Sequence, residues 1–322
     1  MTWILFENQS YINSYNNFFG GSYMKRLIKS LIIFSCLYGM SSYNQAKAAE
    51  IITVKGAAES ITVKGSDTMV ILGQRLAEEY MNKNKDVTIQ VTGGGSGTGI
   101  AALLNKTTNL ANSSRPIKDA EAKKAREAGG EITEVKIALD GLAVVVNREN
   151  SVSELTMKQI LGIYTGHYKN WKEVGGPDQK IMRYSRESNS GTYVFFKEHV
   201  LLDRDYAPDC QTMSGTSAVA EAVARDKWGI GFGGVAYFEK IPELEILKIK
   251  KLANTPAVSP IKEDRSVNYE QIWNGEYPIA RYLYVYVAGK MTPAIKKYID
   301  WTLGPEGQNI VAKIGYVPLP KK

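Results

Sequence analysis

Short apolar runs alternate with helical patterns along most of this chain. Residues 87–91 alternate apolar and polar side chains as a half-buried strand does, and residues 70–82 carry apolar side chains at helical spacing. Residues 139–146 form a nearly continuous apolar run, which is typical of a strand buried on both faces of a sheet. Because such strand and helix patterns follow one another, the sequence predicts an α/β protein.

The length and composition narrow the class of protein further. A chain of 322 residues has room for two domains, since one domain usually takes about 100 to 200 residues. Its 44% hydrophobic and 23% charged residues are ordinary for a globular protein and exclude a collagen, a coiled coil or a wholly disordered chain. With two cysteines and two histidines, the sequence predicts no disulfide framework, no bound metal and no cofactor.

The N-terminal region has the layout of a secretory signal peptide. Basic residues precede an apolar run at 31–40, and small residues precede Ala48. The run is too short to cross a membrane, which takes about 20 apolar residues. We therefore predict that residues 1–48 are an upstream extension plus a signal peptide cleaved near Ala48, with Met24 as the true start, and that the mature protein is periplasmic.

Charge and cysteine usage of the remaining chain point to no further class of partner. Residues 1–48 carry four basic residues and one acidic residue, so their removal lowers the net charge from +7 to +4. This mild excess does not indicate a nucleic-acid partner. A lipid anchor at Cys36 is disfavoured because bulky Phe34 stands where such sites prefer a small or branched residue. If Cys36 leaves with the signal peptide, Cys210 is expected to be a buried, inert thiol.

Three turns share one design, in which a strand ends, glycine and hydroxyl residues follow, and a helix begins. They occupy residues 65–68, 93–99 and 186–192. A helix N-terminus leaves about four N–H groups without partners and carries about half a positive charge. Three such termini that converged on one point would form an anion site without a metal. Taken singly, each turn could be no more than a helix cap.

Other readings of these turns fit less well. The Gly-rich stretch lacks the Gly-Lys-Ser/Thr ending of a nucleotide-binding P-loop, and Thr98 stands where a nucleophile elbow around Ser96 needs glycine. The pentapeptide ITVKG occurs at 52–56 and again at 61–65, but only the second copy leads into a turn of this design. The first copy is expected to be an extra strand or a duplicated edge segment.

Six motifs, which follow one another in order along the chain, resemble those of a known family. They are GSDT from Gly65, GGGSGTG from Gly93, NSSRPI from Asn112, ALDGLAVVVN from Ala138, SRESNSGTYVFF from Ser185 and YPIARYLYVYV from Tyr277. In these motifs the chain resembles the periplasmic phosphate-binding proteins of phosphate ABC transporters, over residues 61–320.

The resemblance implies a type II periplasmic-binding-protein fold: two α/β lobes, each a mixed sheet flanked by helices, joined by a two-strand hinge. The crossing strands would fall near residues 138–141 and 278–282. The first lobe would then comprise residues 49–138 and 279–322, and the second lobe residues 139–278.

The resemblance also implies a set of phosphate ligands. Carried onto this sequence, the phosphate-binding positions are Ser66, Thr68, Ser96, Arg186, Ser190, Gly191 and Thr192. The predicted site also includes Gly97, which follows Ser96 in the Gly-rich turn. Some members of the family have an aspartate that accepts the proton of phosphate in a fourth loop, where this chain has Ser114 and Arg115. We include both positions in the predicted site. Asp67 and Asp140 are the candidates to replace that acceptor, and the alternative is a structural carboxylate paired with Arg115 or Arg186.

By this resemblance the protein would capture inorganic phosphate, as a monomer and without enzymatic activity, and deliver it to an inner-membrane ABC permease. Two alternatives remain. A receptor for sulfate or molybdate would use the same helix termini without an acceptor carboxylate. A secreted phosphatase or hydrolase would add a nucleophile to the anion site.

Overall fold

The computed structural model describes residues 59–127 and 130–320, and the statements below concern those residues. The predicted signal peptide with its cleavage site, Met24, Cys36 and the first ITVKG copy lie outside the described residues.

The described chain contains strands and helices in alternation. The strands are β1 (Glu59–Gly65), β2 (Val87–Thr92), β3 (Leu110–Ser113), β4 (Ile132–Asn147), β5 (Glu154–Thr156), β6 (Met182–Arg186), β7 (Gln211–Met213), β8 (Gly229–Gly234), β9 (Leu244–Ile246), β10 (Lys248–Lys250) and β11 (Ala280–Ala288). The α-helices are α1 (Val70–Lys83), α2 (Ser96–Leu104), α3 (Asp119–Glu127), α4 (Met157–Tyr164), α5 (Gly191–His199), α6 (Thr216–Arg225), α7 (Tyr269–Trp273), α8 (Pro293–Leu303) and α9 (Pro305–Ile314). Short 3₁₀ helices span Asp67–Met69, Trp171–Val174 and Val235–Tyr237.

One mixed sheet runs through the molecule in the order β2-β1-β3-β11-β4-β8-β6-β7, and β9 also pairs with β4. β1 is parallel to β2 and β3, whereas β11 is antiparallel to both β3 and β4. Strands β5 and β10 form a separate parallel pair. The α/β class with mixed sheets, which the sequence predicts, is confirmed.

The hydrophobic residues form two main cores, which define the two lobes. The first core joins β1 and β2 to helices α1, α8 and α9, and the second joins β6 and β8 to helices α4, α5 and α6. Along β4, Ala138 belongs to the first core and Leu139 to the second. Along the segment that leads into β11, Ile279 belongs to the second core and Leu283 to the first. These positions agree with the expected crossing strands, while the residue limits of the two lobes stay a prediction.

The tyrosines of β11 serve packing. Tyr284 and Tyr286 are buried in a third, smaller cluster with Ile100 and Leu103 of α2. This face of the strand therefore supports the helix that carries the Gly-rich turn.

Two features are absent from the part of the chain that the structure describes. None of the helices there combines the length and the apolar character needed to cross a membrane. No group of His, Cys, Asp and Glu side chains in residues 59–127 and 130–320 is arranged to hold a metal ion.

Candidate functional site

The three sequence-predicted turns meet at one place between the lobes. Ser66 Oγ donates to Ser114 Oγ at 2.9 Å, and Ser114 Oγ lies 3.4 Å from Ser96 Oγ. A Cβ atom at Gly191 would overlap the Ser96 hydroxyl, so α5 of the second lobe begins directly against α2 of the first. Four segments far apart in sequence thus bring small hydroxyl residues and a glycine into mutual contact.

The ends of strands and the beginnings of helices explain this convergence. Ser96 is the first residue of α2, Gly191 is the first residue of α5, and Ser66 precedes a 3₁₀ helix. Each of these segments therefore begins a helix or a helical turn at the place where the three turns meet. Ser190 also acts as a helix cap, because its hydroxyl accepts the N–H of Thr192 at 3.2 Å. The cap interpretation of this turn therefore holds for Ser190, and its role as a ligand stays a prediction.

A second group of polar side chains lies beside the first and is fully buried. Thr68 Oγ1 is 2.8 Å from Thr192 Oγ1, which in turn accepts from Arg281 Nη2 at 2.9 Å. The same Arg281 nitrogen donates to Asp140 Oδ2 at 2.9 Å. This chain of contacts links the first turn and the third turn to the hinge strands β4 and β11.

Several buried polar atoms in this region have no hydrogen-bond partner among the described residues. They are Asp140 Oδ1, Arg281 Nη1, Arg186 Nε and Arg115 Nε. A buried polar group left unpaired costs about 1 to 3 kcal/mol, and more if it is charged. These atoms, one acceptor and three donors, are candidates for contacts with a polar ligand.

Burial shapes the protonation of the hinge pair. It raises the pKa of the Asp140 carboxyl group, while the adjacent Arg281 guanidinium opposes that rise. Burial likewise lowers the pKa of Arg281, and Asp140 opposes that change. The two charges therefore depend on each other, as expected for an ion pair out of contact with water.

A second ion pair lies nearer the surface of the cleft. Arg186 Nη2 donates to Asp67 Oδ2 at 2.8 Å, and Asp67 Oδ1 accepts the N–H of Gly94 at 2.8 Å. Arg186 Nη1 donates to Thr216 Oγ1 at 2.9 Å. This pair joins the first turn of one lobe to the third turn of the other. The structural pairing of a carboxylate with Arg186, which the sequence left open, thus occurs at Asp67, whereas Asp140 pairs with Arg281 and with neither Arg115 nor Arg186.

Two further predicted positions already have protein partners. Arg115 binds both oxygens of Glu121, with nitrogen–oxygen distances of 2.9 and 2.7 Å. The N–H of Gly97 donates to the carbonyl of Asn189 at 2.9 Å. The ligand roles predicted for these residues stay predictions.

Sequence reasoning missed Arg281, Thr216 and Asn189. Arg281 faces Asp140 across the antiparallel β4–β11 pair. Arg281 is the one charged residue of β11, and Asp140 interrupts the apolar part of β4. These charges were a usable signal, but the sequence does not give the register that places them opposite each other. Asn189 was part of the third turn, yet an asparagine in a turn carries no indication of a partner in another lobe.

Comparison with known proteins identifies the family. Residues 53–306 match the model of the PBP superfamily domain. The phosphate-binding protein PstS of Pseudomonas aeruginosa is 31% identical, with 93% of this chain and 96% of that protein covered. PstS of Staphylococcus epidermidis is 33% identical, with 89% of this chain and 86% of that protein covered.

Solved structures agree with these sequence matches. A phosphate ABC transporter substrate-binding protein from Clostridium perfringens, solved with phosphate bound, has a TM-score of 0.68 and 29% identity, over 81% of this chain and all of that one. An ABC-type phosphate transport receptor from Vibrio cholerae has a TM-score of 0.64 and 27% identity over the same shares. With its two lobes, its converging turns and these matches, the chain belongs to the PBP superfamily and, within it, to the family of the phosphate-binding protein PstS.

Proposed function

We propose that this protein binds inorganic phosphate between its two lobes and delivers it to the membrane permease of an ABC transporter. The observation that carries the proposal is the meeting of three helix-initiating turns around buried, unpartnered polar atoms. The relatives named above, which are phosphate-binding proteins of ABC transport, support it.

The proposed ligand set follows from the contacts. Hydroxyl donors come from both lobes, the N-termini of α2 and α5 supply backbone N–H groups, and Arg186 and Arg281 supply charge-assisted donors. The two arginines are matched by Asp67 and Asp140 at 2.8 and 2.9 Å, so these four ionised groups sum to no net charge. Hydrogen bonds and helix dipoles would therefore stabilise most of the charge of the anion. The proposed ligands are Ser66, Thr68, Ser96, Gly97, Ser114, Asp140, Arg186, Ser190, Gly191, Thr192 and Arg281, with Asp67 and Arg115 supporting them.

Asp140 gives the site a reason to prefer phosphate. Phosphate carries at least one proton at neutral pH, and a carboxylate can only accept hydrogen bonds. Asp140 Oδ1 is a buried acceptor with no partner among the described residues, so it can receive that proton. Fully deprotonated sulfate would face the carboxylate without a proton between them. An unmet buried polar group costs about 1 to 3 kcal/mol, and an unmet charge costs more. Because 1.4 kcal/mol is about tenfold, two facing anionic groups are expected to give discrimination of at least tens-fold.

Binding and release need no bond in the ligand to break. About eight hydrogen-bond donors to an anion, each contributing roughly 1.5 to 3 kcal/mol, can reach micromolar affinity, which requires about 8 kcal/mol after closure is accounted for. We therefore propose a hinge-closing receptor and not an enzyme. We further propose that the receptor is a monomer, exported through a signal peptide cleaved near Ala48 into the periplasm.

Titration calorimetry of the purified protein with phosphate and with sulfate tests the proposal. The sample must first be freed of bound anion by mild unfolding and refolding, and phosphate should appear in the unfolded fraction. Phosphate is expected to bind with micromolar or tighter affinity, and sulfate at least tens-fold more weakly. Equal affinity for the two anions would favour a general oxyanion receptor, and turnover of a chromogenic phosphoester would favour a hydrolase.

A further inference from the structure

A polar contact at the outer edge of the cleft joins the two lobes beside the proposed ligands. Asn189, in the turn before α5, donates from Nδ2 to the carbonyl of Gly94 at 3.1 Å and to Thr98 Oγ1 at 3.2 Å. Its own carbonyl accepts the N–H of Gly97 at 2.9 Å. One residue of the second lobe thus makes three hydrogen bonds to the Gly-rich turn of the first.

The glycines of that turn are shaped for this contact. A Cβ atom on Gly95 would lie 2.8 Å from the Asn189 carbonyl oxygen, and one on Gly97 would lie 3.3 Å from it. Gly95 also has a φ of +88°, which side-chain-bearing residues rarely adopt. A glycine lets another group approach the backbone closely. At Gly95, the group that approaches is the other lobe.

Asn189 lies outside the buried part of the site. Its side chain and Gly94 are exposed, whereas the adjacent Ser190 is buried. Its side-chain hydrogen bonds go to Gly94 and Thr98, neither of which is among the proposed ligands. They form only when the two turns are together, so they stabilise the closed cleft whether or not an anion is inside.

We infer that Asn189 is a latch: a positioning residue that holds the lobes closed and slows the escape of the bound ligand. The inference rests on the proposed function. A contact made only in the closed state raises the population of that state in the free protein. Apparent affinity rises with the fraction of protein that is closed, and dissociation slows because the latch must open first. Selectivity between anions is untouched, because the latch does not contact the anion.

The variant Asn189→Ala tests the latch, with Ser188→Ala as the matched control. Ser188 is the exposed neighbour in the same turn. Dissociation is measured by loading the protein with radiolabelled phosphate and adding an excess of unlabelled phosphate. Since two exposed side-chain hydrogen bonds are removed, Asn189→Ala is expected to raise the dissociation rate about three- to tenfold. Its ratio of phosphate to sulfate affinity should equal that of the wild type, and Ser188→Ala should change neither quantity.

An isosteric variant separates the hydrogen bonds from packing. Asn189→Asp keeps the shape of the side chain but places a carboxylate oxygen against the Gly94 carbonyl, so it should dissociate at least as fast as Asn189→Ala. Thr98→Ala should raise the dissociation rate by a smaller factor in the Asn189→Ala variant than in the wild type, since the two residues share one contact.

Small-angle X-ray scattering of the anion-free proteins tests the latch without phosphate. The Asn189→Ala variant is expected to show a larger mean radius of gyration than the wild type and Ser188→Ala, because more molecules are open. Unchanged dissociation and unchanged scattering in Asn189→Ala would overturn the latch. A wild type that binds no phosphate would instead refute the proposed function, and the scattering comparison would still decide the latch.

Discussion

Two aspartate–arginine pairs of nearly equal geometry lie in this cleft, and their surroundings differ. Asp67 and Arg186 are 2.8 Å apart and belong to different lobes, and the Asp67 side chain is 23% exposed. Asp140 and Arg281 are 2.9 Å apart on neighbouring hinge strands, with side chains 0% and 2% exposed. The same two residue types thus form a partly exposed contact between the lobes and a buried contact within one sheet.

This difference assigns the pairs different energetic roles. A partly exposed ion pair contributes modestly, since water and salt screen it, and here it forms only when the lobes meet. A fully buried pair contributes little net stability over an apolar pair, but removal of one partner leaves an uncompensated charge in the interior. The Asp67–Arg186 pair should therefore affect closure of the cleft, and the hinge pair, Asp140–Arg281, should affect folding and recognition of the ligand.

Loss of the arginine from the hinge pair has the largest expected effect. In Arg281→Met, Asp140 stays buried without its cation, so the free energy of unfolding should fall by about 3 to 5 kcal/mol. For a protein of this size that corresponds to a melting temperature about 6 to 15 °C lower, as measured by calorimetry. The double variant Asp140→Asn with Arg281→Met should recover much of the loss. A single variant as stable as the wild type would contradict the buried-pair argument.

The second prediction concerns recognition. Asp140→Asn puts an amide where the acceptor carboxylate stands, so the ratio of phosphate to sulfate affinity should fall by about tenfold or more. Titration calorimetry with both anions measures the ratio, and Asp67→Asn is the matched control in the other pair. If Asp67→Asn collapsed the ratio while Asp140→Asn preserved it, the two roles would be exchanged.

The third prediction concerns closure. Asp67→Asn weakens an inter-lobe contact that is partly exposed, so phosphate affinity should fall only about three- to tenfold, with the anion ratio unchanged. High salt should reduce the difference between the variant and the wild type, because the lost interaction is electrostatic. A difference in affinity that is the same at low and high salt would contradict an electrostatic role of Asp67 in closure.

The comparison of the two pairs also shows what the sequence could and could not predict. The turn containing Asp67 could be recognised from the sequence, because glycine and hydroxyl residues are favoured at the start of a helix for local reasons of backbone geometry and capping. The α/β class was likewise readable from the period of apolar residues. The partner of Asp140 was not, because the register of β4 against β11 depends on contacts between residues 141 positions apart. The contacts of Asn189 could not be predicted for the same reason, since its partners lie in the other lobe.

A third acidic residue, Glu239, has no arginine paired with its carboxylate among the described residues, and it provides the prediction with the smallest expected effect. It is nearly buried, and its near ionic partner is Lys240, at 3.4 Å, rather than an arginine. The guanidinium of Arg265 instead donates to backbone carbonyls, among them that of Glu239 itself. Glu239 lies against Gly315, where the C-terminus of α9 also disfavours a negative charge. Burial raises the pKa of Glu239, and Lys240 and Arg265 only partly oppose the rise.

The sign of the pH effect follows from that shift. Between the ordinary glutamate pKa and the raised value in the folded protein, the folded state binds more protons than the unfolded state, so stability falls as pH rises through this range. Glu239→Gln removes the charge. Its melting temperature should exceed that of the wild type by about 1 to 3 °C at pH 8 and approach the wild-type value at pH 4. A difference that is constant across this range would indicate that Glu239 acts through packing and not through its charge.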